Sequence, residues 1–182
     1  LVYSTRSFRR FYEEVKITRE ELLSLIDLAR MTASTSNSQA LRFKPVADEK
    51  ECEVLFKSLG WAGALPDWDG PEKGERPTAY VIILCDKERG TNKFTDVGIT
   101  AQTIMLGATE MGYGGCMLGN IRRSEIAKDF GIDTEKFTIE LVLALGKPKE
   151  EVKIVSLPES GDVRYYRDEN MVHYVPKRNI ED

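Results

Sequence analysis

The stretch Ala79–Cys85, with the sequence AYVIILC, is a continuous apolar run. Such a run predicts a strand that is buried on both faces of a sheet, because a strand with one face in water would alternate apolar and polar residues. Ile139–Leu145 predicts a second buried strand later in the chain. Two such strands, separated by helical segments, indicate one layered domain of α/β or α+β type and leave the strand order open.

Between these strands, Phe94–Met111 predicts a long helix, because its apolar residues recur at intervals of three and four. Gly98 and Gly107 lie within it and would let another backbone approach closely. Tight packing inside the domain or a symmetric contact between two copies of the helix would each use these glycines. Gly112–Gly119 contains four glycines and carries the chain from the helix end into a strand or loop.

Upstream of the first strand, Thr18–Glu21 is a capping box and predicts a helix that ends near residues 31–33. Leu41–Val46 alternates like a strand, and Glu49–Leu59 predicts a helix. Gly60–Thr78 contains both tryptophans, and its glycines and prolines predict a long connection of the kind that often forms a lid or binding loop. These tryptophans would either line or cover a binding site or anchor the loop to the surface.

Downstream of the long helix, Ser124 predicts the N-cap of a short helix that stops at Gly131. From Gly146 onward, prolines and charged residues replace the helical pattern. A tail of this length and composition is not expected to form its own core, so it either dangles or wraps another surface.

The composition argues against several classes of protein. The 182 residues carry a formal net charge of −4 and no long basic stripe, which argues against nucleic-acid binding. The sequence contains neither an apolar run of the roughly 18 residues that a membrane-spanning helix needs nor a signal-peptide pattern. Cys52, Cys85 and Cys116 are too far apart for a paired metal motif or a disulfide framework, so we expect a cytoplasmic protein. Because the first residue is Leu1 rather than methionine, we also expect native residues before it.

The segment Thr5–Phe11 concentrates basic side chains, with three arginines and Ser7 within five positions. A guanidinium can bind phosphate through two parallel hydrogen bonds, and a hydroxyl adds a directed donor. Taken alone, however, the segment is more typical of a solvated basic turn.

Two other segments suit a planar ligand. Ser34–Gln39 offers carboxamides and hydroxyls without an ionisable group, which matches the neutral edge of a heteroaromatic ring. Gly114–Asn120 offers backbone that is little obstructed by side chains. Taken alone, each segment is more typical of an ordinary turn.

The chain contains a single histidine, His173. One histidine cannot supply a metal site here, and no serine or cysteine elbow accompanies it, so we expect a strand or surface residue rather than a catalyst. The sequence shows no paired-carboxylate motif, metal cluster or phosphate-binding P-loop. If the protein is an enzyme, an organic cofactor is expected to carry its chemistry, and no side chain is assigned as catalytic.

In their order along the chain, these segments resemble the motifs of the nitroreductase family. Arg6–Arg9 is similar to an Arg-x-Ser-x-Arg-type segment. Ala33–Phe43 is similar to a Pro-Ser-x-x-Asn-x-Gln-Pro-Trp-x-Phe stretch, with Ser, Asn, Gln and Phe in register. Ala108–Gly114 resembles the exit of the central helix, Leu143–Pro148 a late strand and turn, and Pro176–Glu181 the terminal Lys/Arg-Arg-Pro-Leu-Glu segment.

The resemblance implies an α+β, nitroreductase-like fold over residues 1–182, a single domain with a central, mostly antiparallel sheet flanked by helices. It also implies a C-terminal arm, about residues 147–182, that wraps a partner subunit, and a homodimer with FMN at the interface. Arg6, Ser7 and Arg9 would hold the phosphate and ribityl chain, and Arg178 would add a cation. The full set implied to bind FMN, partly from the partner subunit, is Arg6, Ser7, Arg9, Ser34, Asn37, Gln39, Met117, Leu118, Gly119, Lys177 and Arg178.

The leading functional hypothesis is ping-pong electron transfer from NAD(P)H through FMN to a nitroaromatic, quinone or similar electron-poor acceptor. A flavin-dependent reaction of narrower scope, such as dehalogenation or flavin destruction, would use the same cofactor site. A non-catalytic flavin-binding protein is the remaining alternative, and it is compatible with Ala40 and Leu41, which replace the Pro and Trp of the family motif.

Overall fold

The apolar run seen in the sequence forms strand β2 (Ala79–Asp86), and all eight of its residues are buried, as predicted. It pairs antiparallel with β1 (Leu41–Val46) on one side and with β4 (Phe137–Gly146) on the other. β3 (Gly114–Leu118) pairs antiparallel with β4 and forms an edge of the sheet. The order β1-β2-β4-β3 confirms an α+β fold with a central antiparallel sheet. The structure is a computed structural model that describes residues 1–65, 67–90 and 93–181.

Helices cover both faces of this sheet. They are α1 (Arg19–Arg30), α2 (Glu49–Phe56), α3 (Lys93–Glu110) and α4 (Arg123–Asp129). The apolar residues of α1 and α3 form one buried cluster with one face of the sheet, and those of α2 and α4 form a second cluster with the other face. Each large aliphatic side chain buried in this way contributes about 1.5–3 kcal/mol. None of the helices in the described ranges combines the length and apolar content needed to cross a bilayer.

The side chains of β2 alternate between the two clusters, which explains why the whole run is apolar. Val81 and Ile83 lie in the cluster under α1 and α3, whereas Tyr80 and Ile82 lie in the cluster under α2 and α4. Successive side chains of a strand point to opposite faces, so covering both faces requires an apolar residue at each position.

The helix signals are mostly confirmed. The capping box at Thr18 is present, with Glu21 N donating to Thr18 Oγ1 at 3.2 Å. Gly131 follows α4 with a φ of +61°, as expected for a C-terminal glycine. The predicted cap at Ser124 is wrong, because α4 begins at Arg123. A hydrogen bond from Arg122 N to Ser58 O, 2.9 Å long, brings the chain to the helix start one residue earlier than Ser124.

The C-terminal segment departs most from expectation, because it forms a second sheet. β5 (Val152–Ser156) runs parallel to β7 (His173–Lys177), and β6 (Tyr166–Arg167) pairs antiparallel with β7. Of the two predicted alternatives, a dangling tail is therefore wrong. His173 and Glu150 are buried against the same chain. The strands of this second sheet are short and contain Pro176 and several charged residues, so they show no clear apolar periodicity in the sequence. The wrapping of a partner subunit stays a prediction.

Candidate functional site

The basic N-terminal segment lies along β3. Ser7 forms a parallel bridge with Gly115, and Phe8 N donates to Gly115 O at 2.8 Å. Neither glycine of β3 has room for a side chain: a Cβ on Gly114 would lie 2.6 Å from the Phe8 ring, and one on Gly115 would lie 2.3 Å from a backbone oxygen of β4. These glycines thus permit close backbone packing, which fixes the turn that carries the arginines.

A cavity of about 320 Å³ opens beside this turn, and we call it the basic cavity. Five of the residues predicted to bind FMN line it, namely Arg6, Ser7, Arg9, Met117 and Lys177. The wall is completed by uncharged residues that include Gln102, Met105, Tyr165 and His173. Two guanidinium groups and one ammonium face no carboxylate among the lining residues, and this charge pattern suits a phosphate ester.

Arg9 is the most enclosed of these cations, with only 8% of its surface exposed. Its Nη1 donates to Ser7 O at 3.2 Å and lies 3.4 Å from His173 Nε2. Its guanidinium carbon lies 4.7 Å from the centroid of the Tyr165 ring. The backbone N of Arg9 donates to the carboxylate of Glu150. The side chain is therefore held in place by the C-terminal segment.

Glu150 joins the two parts of this site. Its fully buried carboxylate also accepts a hydrogen bond from Arg167 Nη2 at 3.0 Å. The Arg167 guanidinium stacks on Trp68, 4.2 Å from the ring centroid. The N-terminal turn, the second sheet and the 60–78 loop are thus connected through one buried carboxylate.

Two of the arginines that line the basic cavity have a donor without a partner among the described residues. Nε of Arg6 and Nε of Arg9 are buried and make no hydrogen bond to any described residue. A buried donor without a partner costs about 1–3 kcal/mol. A phosphate group offers several acceptor oxygens to the cationic donors that line the cavity, so the residues present fit the phosphate of FMN.

His173 lies in β7, as a strand residue, but in the wall of the basic cavity rather than on the surface. Burial, together with the charges of Arg9 and Arg167, lowers the pKa of His173 to about 4. The imidazole is therefore neutral at pH 7 and can accept a hydrogen bond.

Strand β7 also decides which C-terminal cation reaches the cavity. Side chains alternate along a strand, and His173, Val175 and Lys177 all line the cavity. Arg178 follows the last residue of β7, is exposed and does not line the cavity. The structure brings Lys177 into the basic cavity and leaves Arg178 at its outside.

The remaining residues of the glycine-rich segment continue from Met117 along the sheet edge. The side chain of Leu118 is buried in the core, so only its backbone can face a ligand. A Cβ on Gly119 would have no neighbour closer than 3.9 Å, which leaves open space beside this backbone.

Residues 34–39, which we call the polar loop, border a second cavity of about 280 Å³ through Ser34 and Gln39. Asp96 in the first turn of α3 holds the loop, since its Oδ1 accepts from Thr35 N and Thr35 Oγ1, both at 2.9 Å. Asn37 and Gln39 have positive φ values of 52° and 48°. This conformation is uncommon for residues other than glycine and is often found at functional loops.

The two cavities lie on opposite sides of α3. Asp96 and Thr100 line the cavity of the polar loop, whereas Gln102 and Met105 line the basic cavity. Residues advance by about 100° around a helix, so Asp96 and Met105 differ by roughly half a turn. Within one subunit, the residues predicted to bind FMN therefore lie at two separate cavities.

The two tryptophans do not line either cavity. Trp61 is buried in the core cluster under α2 and α4, and Trp68 packs against that cluster and against Arg167. Both contacts favour the anchoring role. Pro66, between them in the loop, lies outside the described residues.

Sequence reasoning missed three residues that shape the site: Asp96, Glu150 and Tyr165. Each acts through a contact between segments far apart in the chain, and no local spacing indicates such a contact. Asp96 is one of several polar residues in α3, so the sequence alone does not mark it as buried.

Comparison with known proteins agrees with this architecture. The profile of the family described as "Nitroreductase family" matches residues 2–147. The chain is 25% identical over 179 residues to the Bacillus subtilis (strain 168) protein called "Putative NAD(P)H nitroreductase YdgI", with 80% of this chain and 86% of that protein covered.

Two solved structures share the fold. One is an "FMN-dependent Nitroreductase" from Clostridium difficile R20291, with a TM-score of 0.66 and 22% identity, covering 82% of this chain and 86% of that one. The other is a "putative nitroreductase in complex with FMN" from Exiguobacterium sibiricum 255-15, with a TM-score of 0.68 and 19% identity, covering 87% and 92%. Because the family profile covers most of the sequence, the chain belongs to the nitroreductase family.

Proposed function

We propose that the protein is an FMN-dependent oxidoreductase that takes electrons from NAD(P)H. The observation that carries this proposal is the convergence of Arg6, Arg9 and Lys177, with Ser7, on one cavity that has no carboxylate among its described lining residues. Family membership, a relative named as an NAD(P)H nitroreductase and a fold neighbour in complex with FMN support it.

The three cations and Ser7 would bind the phosphate of FMN, and Arg178 would raise the positive potential around it. FMN would supply the electron-transfer chemistry. The Met117–Gly119 backbone at the sheet edge would lie along the flavin. The residues of the chain would thus bind and orient FMN, and no side chain is assigned to proton transfer.

We propose that the functional form is a homodimer, because a second subunit could bring its polar loop to the basic cavity of the first. The polar loop with Ser34, Asn37 and Gln39 does not line the basic cavity of its own chain, and the two cavities contact opposite sides of α3. In a symmetric pair, the loop of one subunit can face the cavity of the other. Phe94 on α3 is 78% exposed, and a Cβ on Gly98 would have no neighbour within 4 Å, so this helix presents an apolar, open surface to a partner.

A matched pair of substitutions tests the dimer. Gly98→Arg places a long cation on the proposed interface, and we expect a monomer in sedimentation velocity where the unchanged protein is a dimer. Glu53→Arg on α2 adds the same side chain on the other face of the sheet and should leave the dimer intact. A dimer that tolerates Gly98→Arg would show that α3 is not the interface.

Within this proposal, NAD(P)H and an electron-poor acceptor such as a nitroaromatic or a quinone bind in turn, in a ping-pong mechanism. The three cysteines are free and buried, which fits the cytoplasm as the compartment. A flavin-dependent reaction of narrower scope remains the second candidate, because its phosphate site would be the same.

Anaerobic titration tests the activity. The FMN-loaded protein should be yellow, should lose its flavin absorbance when NADH or NADPH is added, and should regain it with a nitroaromatic or quinone. Recovery with neither acceptor would favour the narrower reaction. Bound flavin that no nicotinamide reduces would favour a non-catalytic flavin protein, and a protein that ignores added FMN would contradict the proposal.

A further inference from the structure

We infer that His173 and Tyr165 are positioning residues for Arg9: they fix its guanidinium so that Nη2 stays available to an anion in the basic cavity. The inference rests on the proposed function, because it takes the phosphate of FMN as that anion. It assigns a role to two residues that the sequence did not connect with Arg9.

The guanidinium of Arg9 is held from two directions. Nη1 is engaged by Ser7 O and His173 Nε2, at 3.2 and 3.4 Å. The Tyr165 ring lies against the guanidinium at 4.7 Å, within the range of a cation–π contact. Among the described residues, Nη2 makes no hydrogen bond. The contacts thus occupy one end and one face of the guanidinium and leave the other end for a ligand.

The chemistry of arginine fixes the role of His173 in this contact. A guanidinium has donors and no acceptor, so the contact is a hydrogen bond when His173 Nε2 accepts and the ring proton lies on Nδ1, which is buried and has no partner among the described residues. This arrangement requires a neutral imidazole, and the low pKa of His173, about 4, provides it at pH 7. A protonated ring would instead place a second cation beside Arg9.

Both positioning residues are themselves fixed. His173 is 1% exposed, its backbone N donates to Glu151 O at 2.9 Å, and its ring centroid lies 5.0 Å from that of Tyr165. The Tyr165 hydroxyl accepts a hydrogen bond from Ala64 N at 3.4 Å. Arginine has many rotamers, and holding one of them before the ligand arrives reduces the entropy lost on binding.

The test is a double-mutant cycle on FMN affinity, measured by quenching of flavin fluorescence in the full-length protein. His173→Phe keeps an aromatic ring but removes the acceptor, and we expect FMN affinity to fall about five- to tenfold. His173→Gln offers an amide oxygen near the position of Nε2 and should retain affinity within about twofold. In an Arg9→Ala background, His173→Phe should cause no further loss, because its effect passes through Arg9.

Riboflavin, which lacks the phosphate, separates positioning from general damage to the site. His173→Phe and Tyr165→Leu should each lower FMN affinity. Neither substitution should change riboflavin affinity. Tyr165→Phe keeps the ring but loses the hydrogen bond from Ala64 N, so it should lose less FMN affinity than Tyr165→Leu. Tyr174→Phe is the matched control, since it alters the same sheet at a residue that does not line the cavity.

Equal loss of FMN and riboflavin affinity, or an undiminished effect of His173→Phe in the Arg9→Ala background, would overturn the inference. If His173→Phe does not fold, the Tyr165→Leu and Tyr165→Phe pair decides in the same way. Failure of the unchanged protein to bind FMN would contradict the proposed function instead.

Discussion

The central sheet and the C-terminal sheet are held by different forces. β2 in the central sheet is buried on both faces between two apolar clusters. The C-terminal sheet buries little apolar surface and is fixed by the Glu150–Arg167 ion pair, the contact of His173 with Arg9 and the stacked rings of Tyr166 and Tyr174, 5.1 Å apart. Apolar burial therefore sets the fold, whereas buried polar contacts assemble the cavity between the two sheets.

Glu150→Ala should have the largest effect, because it should destabilise the C-terminal sheet and leave the central sheet folded. It leaves the buried guanidinium of Arg167 without its ion-pair partner and removes the acceptor for Arg9 N, and breaking a buried pair in this way costs about 3–5 kcal/mol. Because the central clusters are untouched, we expect faster proteolysis within residues 152–177 ahead of unfolding of the central sheet. Glu159→Ala, at an exposed position of the same segment, is the control. Unchanged cleavage of the Glu150→Ala protein would show that the pair does not hold the second sheet.

Acid should destabilise the protein through His173. Its folded pKa of about 4 lies below the value of 6.5 expected when the chain is unfolded, so its stabilising contribution is complete above pH 6.5 and is lost as the pH falls towards 4. The difference corresponds to about 3 kcal/mol. Glu75, whose pKa is lowered to about 2 mainly by Arg10, loses its contribution only below about pH 4.5.

Denaturant unfolding between pH 7 and pH 4.5 therefore isolates the histidine. The unchanged protein should lose stability over this range, and His173→Gln should lose markedly less. Parallel pH profiles for the two proteins would contradict a buried neutral His173.

The adjacent residues Lys177 and Arg178 should contribute differently to FMN binding. Arg9→Ala and Lys177→Ala each remove a charge that lines the cavity and should weaken FMN binding about ten- to a hundredfold. Arg178→Ala removes an exposed charge outside it, and we expect a loss of no more than about threefold, reduced further by salt. Equal losses at Lys177 and Arg178 in equilibrium titrations would mean that strand alternation does not select the cation.

The same contrast explains what the sequence could predict. Ala79–Cys85, Thr18–Glu21 and Phe94–Met111 have local patterns, and each forms the expected strand, cap or helix. The second sheet was missed because β6 has only two residues and β7 contains a proline, so neither shows a usable period.

The site follows the same rule. Arg6, Ser7 and Arg9 could be suspected because phosphate binding uses neighbouring residues of one segment. The contact of Glu150 with Arg9 joins residues 141 positions apart, and no local pattern encodes it. That Lys177 lines the cavity and Arg178 does not depends on where β7 ends, and the sequence did not reveal this strand.

We propose that the cavity between the N-terminal turn and the C-terminal sheet binds the phosphate of a flavin nucleotide. Parallel titrations of the unchanged protein with FMN and riboflavin test it most directly, because the two ligands differ only in that phosphate. Charge-assisted contacts to Arg6, Arg9 and Lys177 should make FMN bind at least about a hundredfold more tightly. Equal affinity for the two flavins would contradict the assignment of this cavity.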